Sequence, residues 1–153
     1  MNDVTEEVLT KVFYDDGSLR DIFVEQTTQD DWTTLWEFIK SLSKRTLSID
    51  GEETDDIPDD VANIFKARKD ISINISIDFN GVAFVCHFFC IEEIEFDVSP
   101  RQINNLMEAK VVFQFMESLS TLLRKAVSIS IENDHDTSLV TVYSQGENLM
   151  YYR

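Results

Sequence analysis

Cys86, His87 and Cys90 are the residues whose types first suggest chemistry, because thiols beside an imidazole serve both metal ligation and nucleophilic catalysis. Their setting, the apolar run from Val82 to Ile91, reads as a strand. At about 3.3 Å per residue, the two cysteines would share a face roughly 13 Å apart. That exceeds disulfide reach and the span of one zinc ion. His87 would point to the opposite face, so no Cys–His dyad forms within the segment. The expectation is two unpaired cysteines buried in the core, which suits a reducing compartment. His87 shares its face with Val85 and Phe89 and reads as a structural histidine beneath a covering helix, bonded to Asn74 or to backbone, in preference to a catalytic base. His135 lies in Asn133-Asp134-His135-Asp136, where local hydrogen bonding within the turn is expected in preference to metal binding.

Carboxylates are the other chemical resource. Asp50, Glu52, Glu53, Asp55, Asp56, Asp59 and Asp60 fall within one stretch that contains no basic residue. The stretch lacks the D-x-[DN]-x-[DN]-G spacing of a calcium loop. It reads as a solvated loop or as a docking site for a basic partner. Glu93, Glu95 and Asp97 alternate with Ile94, Phe96 and Val98. In a strand the three acids line one face about 7 Å apart, and like charges in a row repel unless something cationic compensates. They form either a wet strand face or a second partner-binding element. Paired carboxylates are too plentiful to single out an acid–base couple, and neither GxGxxG nor GxxxxGK[ST] occurs. The residues therefore name no catalytic group, no cofactor and no metal site.

The charge balance narrows the partners. Asp and Glu number 29 against 13 Lys and Arg, a formal net of −16. Such a field repels phosphate backbones and anionic lipid and attracts basic protein surfaces, although acidity also serves solubility. Nucleic-acid and membrane partners are disfavoured. A transmembrane helix needs about 20 apolar residues, and the longest apolar run here falls well short. The N-terminal Met1-Asn2-Asp3-Val4-Thr5-Glu6-Glu7 lacks the basic and apolar regions of a secretory leader, so a cytoplasmic location is expected. The 153 residues, 43% of them hydrophobic, suit a single domain (1–153) with one substantial core.

The elements that must position these residues follow from periodicity. Lys11-Val12-Phe13-Tyr14 and Leu19 to Val24 flank Asp15-Asp16-Gly17-Ser18 and predict an opening hairpin. A helix begins after Thr28, which can cap it, with Asp31 three residues on, Asp30 and Asp31 suited to the positive end of the dipole, and Trp32, Leu35, Trp36, Ile39 and Leu42 forming one stripe. The acidic stretch leads into a short helix, with Pro58 near its first turn and Val61, Ile64 and Phe65 inward. Ile71 to Phe79 alternates strictly, and Asn80-Gly81 is the preferred type I′ turn. That turn pairs Phe79 with Val82, Ile77 with Phe84, Ile75 with Cys86, Ile73 with Phe88 and Ile71 with Cys90, every pair apolar. Ser99-Pro100 opens a helical region that carries Val112, Phe115, Met116, Leu119, Leu122, Leu123 and Ala126. Val127 to Ile131, Leu139 to Tyr143 and Leu149 to Tyr152 read as further strands. The class is α+β: a mainly antiparallel sheet built from hairpins, with two or three helices packed on one face.

In layout the chain resembles the small acidic immunity proteins of bacterial toxin systems. The residues concerned are Tyr14-Asp15-Asp16-Gly17-Ser18-Leu19-Arg20-Asp21-Ile22 followed by Trp32, and the late helix leading into Val127-Ser128-Ile129-Ser130-Ile131-Glu132-Asn133. The resemblance implies a binding protein that neutralises a cognate partner, and it carries over no site residue. The functional expectation is a non-catalytic acidic protein that engages a basic partner through Asp50, Glu52, Glu53, Asp55, Asp56, Glu93, Glu95 and Asp97. The alternatives are an accessory subunit whose acidity serves solubility, or an enzyme with an unfamiliar site.

Overall fold

The computed structural model describes residues 4–144 and 148–152; Met1, Asn2 and Asp3, part of the stretch weighed above against a leader, lie outside it. Among the described residues, nine antiparallel strands form one sheet and four α-helices lie against it, more than the two or three expected. The strands are β1 (Arg20–Glu25), β2 (Arg45–Ile49), β3 (Glu52–Thr54), β4 (Ile73–Phe79), β5 (Val82–Cys90), β6 (Glu93–Val98), β7 (Val127–Ile131), β8 (Ser138–Ser144) and β9 (Asn148–Tyr152). The helices are α1 (Glu6–Phe13), α2 (Gln29–Ser41), α3 (Val61–Ala67) and α4 (Leu106–Leu123). The sheet runs β3-β2-β4-β5-β6-β1-β7-β8-β9.

The expected opening hairpin is instead α1 followed by β1. Val4, Val8 and Val12 recur at a spacing of four and are buried, and the Thr5 hydroxyl accepts the Val8 N–H at 3.3 Å. Glu6 and Glu7 complement the positive end of the helix, and Glu7 pairs with Lys11 one turn on. Helical spacing and a cap thus outweigh the short apolar run at 12–14. Arg20 fastens the end of α1 to β1. Its buried guanidinium donates to the carbonyls of Val12 and Tyr14, both at 2.6 Å, which satisfies acceptors the helix leaves over.

Thr28 caps α2 as expected, Asp31 completes a capping box with it, and Trp32, Leu35, Trp36 and Ile39 are buried. Each indole N–H finds a carbonyl: Trp32 at Ile91 and Trp36 at Pro58. The β4–β5 hairpin keeps the predicted register from Phe79–Val82 back through Ile75–Cys86, with Asn74 opposite His87. Asn80 and Gly81 both take positive φ, as a type I′ turn requires. Trp32, Trp36 and Phe65 surround Phe88 in one aromatic cluster. Asn105 caps α4, whose Val112, Phe115, Met116 and Leu119 complete the core, while Ala126 falls beyond its end.

A second correction concerns Asp50 to Asp60. Part of it is not a loop: Asp50 and Gly51, both at positive φ, turn β2 into β3. This hairpin forms one edge of the sheet.

All four helices join the core on one face, where Ile22, Val24, Phe84, Cys86, Ile94, Phe96 and Ile129 are buried. The other face carries the outward residues of each strand, and the turn after β7 folds across part of it.

Candidate functional site

Strand alternation decides what the helix-free face contains. Ile94, Phe96 and Val98 enter the core, which turns Glu93, Glu95 and Asp97 outward. On β1 the same rule sends Ile22 and Val24 inward and Asp21 and Phe23 outward. The register places Asp21 opposite Asp97 and Phe23 opposite Glu95. On β5 it places His87 opposite Glu95. Four carboxylates and an imidazole therefore meet near the middle of the sheet.

The turn after β7 adds a second imidazole. The Asn133 N–H donates to Asp21 Oδ2 at 2.9 Å, and the His135 ring stacks on Phe23 with centroids 4.1 Å apart and planes 4° off parallel. This stack buries Phe23, an outward residue that alternation alone would leave wet. His135 Nε2 lies 3.0 Å from Asp21 Oδ2 and 3.1 Å from Glu95 Oε1, while Nδ1 lies 3.3 Å from Glu93 Oε1. Side-chain exposure falls from 32% at Glu93 to 15% at Glu95 and 5% at Asp21. His87 Nε2 meets Asp97 Oδ2 at 2.5 Å and its ring stacks on Phe89.

The electrostatics follow from this crowding. Burial and the neighbouring Asp21 charge push the Glu95 carboxyl up to about 7, against the pull of His135. The hydrogen bond that His87 donates to Asp97 raises the His87 pKa, and burial opposes it in part. For His135, burial favours the neutral ring, but the Asp21 hydrogen bond and the charges of Glu93, Glu95 and Asp21 together raise its pKa.

Several expectations change here. His87 is not beneath a helix and does not bond Asn74; it pairs with Asp97 across the open face. His135 is not confined to its own turn, because its partners belong to β1 and β6. The row Glu93, Glu95, Asp97 does have neighbouring bases, namely these two histidines. Cys86 and Cys90 are free, but only Cys86 is buried and Cys90 is half-buried. Burial raises the Cys86 thiol pKa well above its usual range, so it is a poor nucleophile. The hydroxyls flanking Asp21 and Phe23 on β7 are engaged elsewhere: Ser130 donates to the Ile131 carbonyl and Ser128 bonds Thr141.

Asp21 is the residue that pattern reading missed. A lone Asp just ahead of Ile22-Phe23-Val24, on the same strand face as Phe23, was the available signal, because a large aromatic on the wet face implies a cover. Its partner His135 lies 114 residues away, beyond the reach of any local pattern.

Asp50, Glu52, Glu53, Asp55 and Asp56 lie at the β3 edge and are all exposed. Among the described residues, none of them is in an ion pair. Lys44, Arg45, Asp55 and Asp78 line an adjacent groove of about 560 Å³. The two acidic segments are thus separate: β6 stands four places from β3 in sheet order, with β2, β4 and β5 between them.

Among the described residues no helix is long and apolar enough to cross a membrane. Comparison with family models, with curated proteins and with solved structures found no match.

Proposed function

We propose that this chain is a non-catalytic binding protein of the immunity-inhibitor kind, which docks a basic partner protein through the β2–β3 edge. The carrying observation is the set Asp50, Glu52, Glu53, Asp55 and Asp56: exposed, adjacent, and without a paired cation among the described residues, in a chain of net charge −16. Uncompensated surface charge of one sign steers an oppositely charged partner and raises its association rate more than it deepens affinity. The edge strand is only three residues long and heavily charged, a combination that discourages strand-to-strand pairing. Recognition therefore runs through side chains rather than through an added strand. The central carboxylates contribute less, because His87 and His135 already occupy them.

The test uses the full chain as bait at low salt, followed by purification of any captured protein and size-exclusion chromatography of the mixture. A basic protein that forms a stoichiometric complex, and whose on-rate falls as the Debye length shrinks from about 10 Å at 0.1 M to about 3 Å at 1 M salt, supports the reading. The combined variant Glu52→Gln, Glu53→Gln, Asp55→Asn, Asp56→Asn should associate more slowly and with a flatter salt dependence. A complex indifferent to that variant, or no stoichiometric complex, overturns the proposal and leaves the acidity to solubility.

A further inference from the structure

We propose that Asp21, Glu95 and His135 form a binding site for one divalent transition-metal ion, with Glu93 as the carboxylate that orients the imidazole. The inference is independent of the docking reading, since it concerns a different part of the sheet and requires no protein partner.

One ligand atom from each of the three residues can be chosen so that all lie within 4.8 Å of one another. Two of the edges are explicit: Nε2 to Asp21 Oδ2 at 3.0 Å and Nε2 to Glu95 Oε1 at 3.1 Å. An ion with bonds of about 2.1 Å sets ligand–ligand edges of about 3.0 Å at right angles and about 3.4 Å at tetrahedral ones, so these spacings lie close to one face of a first-row coordination shell. Calcium takes about six to eight oxygen ligands, and a set that includes an imidazole suits it less well. The donor set, one imidazole and two carboxylates, suits a borderline ion such as zinc.

The surroundings supply what such a site needs beyond its ligands. A metal-bound histidine commonly offers its other ring nitrogen to a carboxylate, and His135 Nδ1 faces Glu93 Oε1 at 3.3 Å. Phe23 fixes the ring plane from below. The Asn133 N–H holds Asp21 Oδ2, so the buried carboxylate is anchored from the same turn that delivers the histidine. Three carboxylates converge on one imidazole here, and a dication would relieve their mutual repulsion. His135 is 25% exposed, which leaves a route from solvent. When an ion binds, Nε2 presents its lone pair to the metal, and any proton it carried leaves to solvent.

The experiment is calorimetric titration of chelator-treated full-length protein with Zn²⁺ alone, and separately with Ca²⁺ alone. One equivalent of Zn²⁺ should bind, without comparable uptake of Ca²⁺. His135→Ala and Glu95→Gln should each abolish that equivalent, and Glu93→Gln should weaken it by about 10–100-fold, the usual effect of losing an orienting partner. The combined Asp55→Asn, Asp56→Asn variant and Cys86→Ala should both retain it, which separates the site from loose binding at the acidic edge and from thiol ligation. Circular dichroism checks each variant. If His135→Ala fails to fold, Glu95→Gln decides, because it keeps size and leaves the Phe23 stack in place. No stoichiometric Zn²⁺, or an equivalent that survives in folded Glu95→Gln, overturns the proposal.

Discussion

Two acidic segments of similar composition have opposite environments. At the β3 edge, carboxylates stand exposed beside a hairpin turn, with no ion pair among the described residues. At the sheet centre, Glu93, Glu95 and Asp97 are half-buried, join Asp21 from β1 and meet two imidazoles. Charge density along a chain thus says little about what the charge does. Depth and cross-strand partners decide it: water screens the edge, whereas burial at the centre makes every neighbour count.

The comparison predicts that substitutions under or within the centre cost stability and that those at the edge do not. The largest loss should come from the core that supports the centre. Phe88, buried between Trp32, Trp36 and Phe65, lies on the opposite face of β5 from His87. Phe88→Ala should cost about 3–5 kcal/mol in urea unfolding. A cost below about 1 kcal/mol would mean that β5 is not anchored by this cluster.

Next comes Asp21→Ala, which strips the Asn133 N–H and His135 of their shared acceptor. The expected loss is about 1–3 kcal/mol, moderated because removing one carboxylate also relieves its repulsion of Glu95 and Asp97. A neutral or stabilising result would show that repulsion outweighs the hydrogen bonds. Amide exchange of residues 133–137 should accelerate in the same variant, as the turn comes loose from β1.

A pH series sharpens the contrast further. His87 faces Asp97, Glu95 and Asp21, and its pKa is raised in the folded state. A raised folded pKa means that the folded protein holds the proton more tightly than the unfolded chain. The stabilisation is complete below the ordinary value of 6.5 and is lost as pH rises through the folded value. Glu95 acts in the same direction at lower pH: raised from 4.5 to about 7, it favours the folded state most in acid and loses that advantage across this interval. In metal-free protein the urea midpoint should therefore fall between about pH 5 and pH 8, and His87→Gln or Glu95→Gln should flatten the slope. An unchanged slope in both variants would dissociate the cluster from the pH response.

How far these features could be read in advance depended on the range of the interaction. Asn80-Gly81 and the alternation of Ile73, Ile75 and Ile77 specify the β4–β5 hairpin within a few residues, and its register was legible. The Thr28–Asp31 box and the Trp32, Leu35, Trp36, Ile39 stripe are equally local. Asp50-Gly51 is also a hairpin turn, but its strand β3 is three residues of mostly acidic sequence, so solvation masked the turn chemistry. Val12-Phe13 fits strand or helix, and only the longer Val4, Val8, Val12 spacing separates the two. At the site, alternation placed Glu93, Glu95 and Asp97 on one face. The meeting of Asp21 with His135 required the order β6-β1-β7, and no sequence period reports strand order.

The smallest effect should lie at the edge, and it is the one that most directly tests the contrast. Replacing Glu52 and Glu53 by Gln and Asp55 and Asp56 by Asn removes four charges from exposed positions. None of these side chains is in an ion pair among the described residues, so the substitutions break no such contact. Exposed substitutions of this kind usually shift stability by no more than about 0.5 kcal/mol each. Here the sign should be favourable, because the lost charges repel one another within a chain of net −16. The expected result is a urea midpoint equal to or slightly above that of the native chain at 0.1 M salt or below. The gap should close at 1 M salt, where the Debye length of about 3 Å already screens the repulsion. A clear loss of stability would mean that these carboxylates hold the β2–β3 edge together, and the edge would then belong with the centre as structure rather than stand apart as a free charged surface.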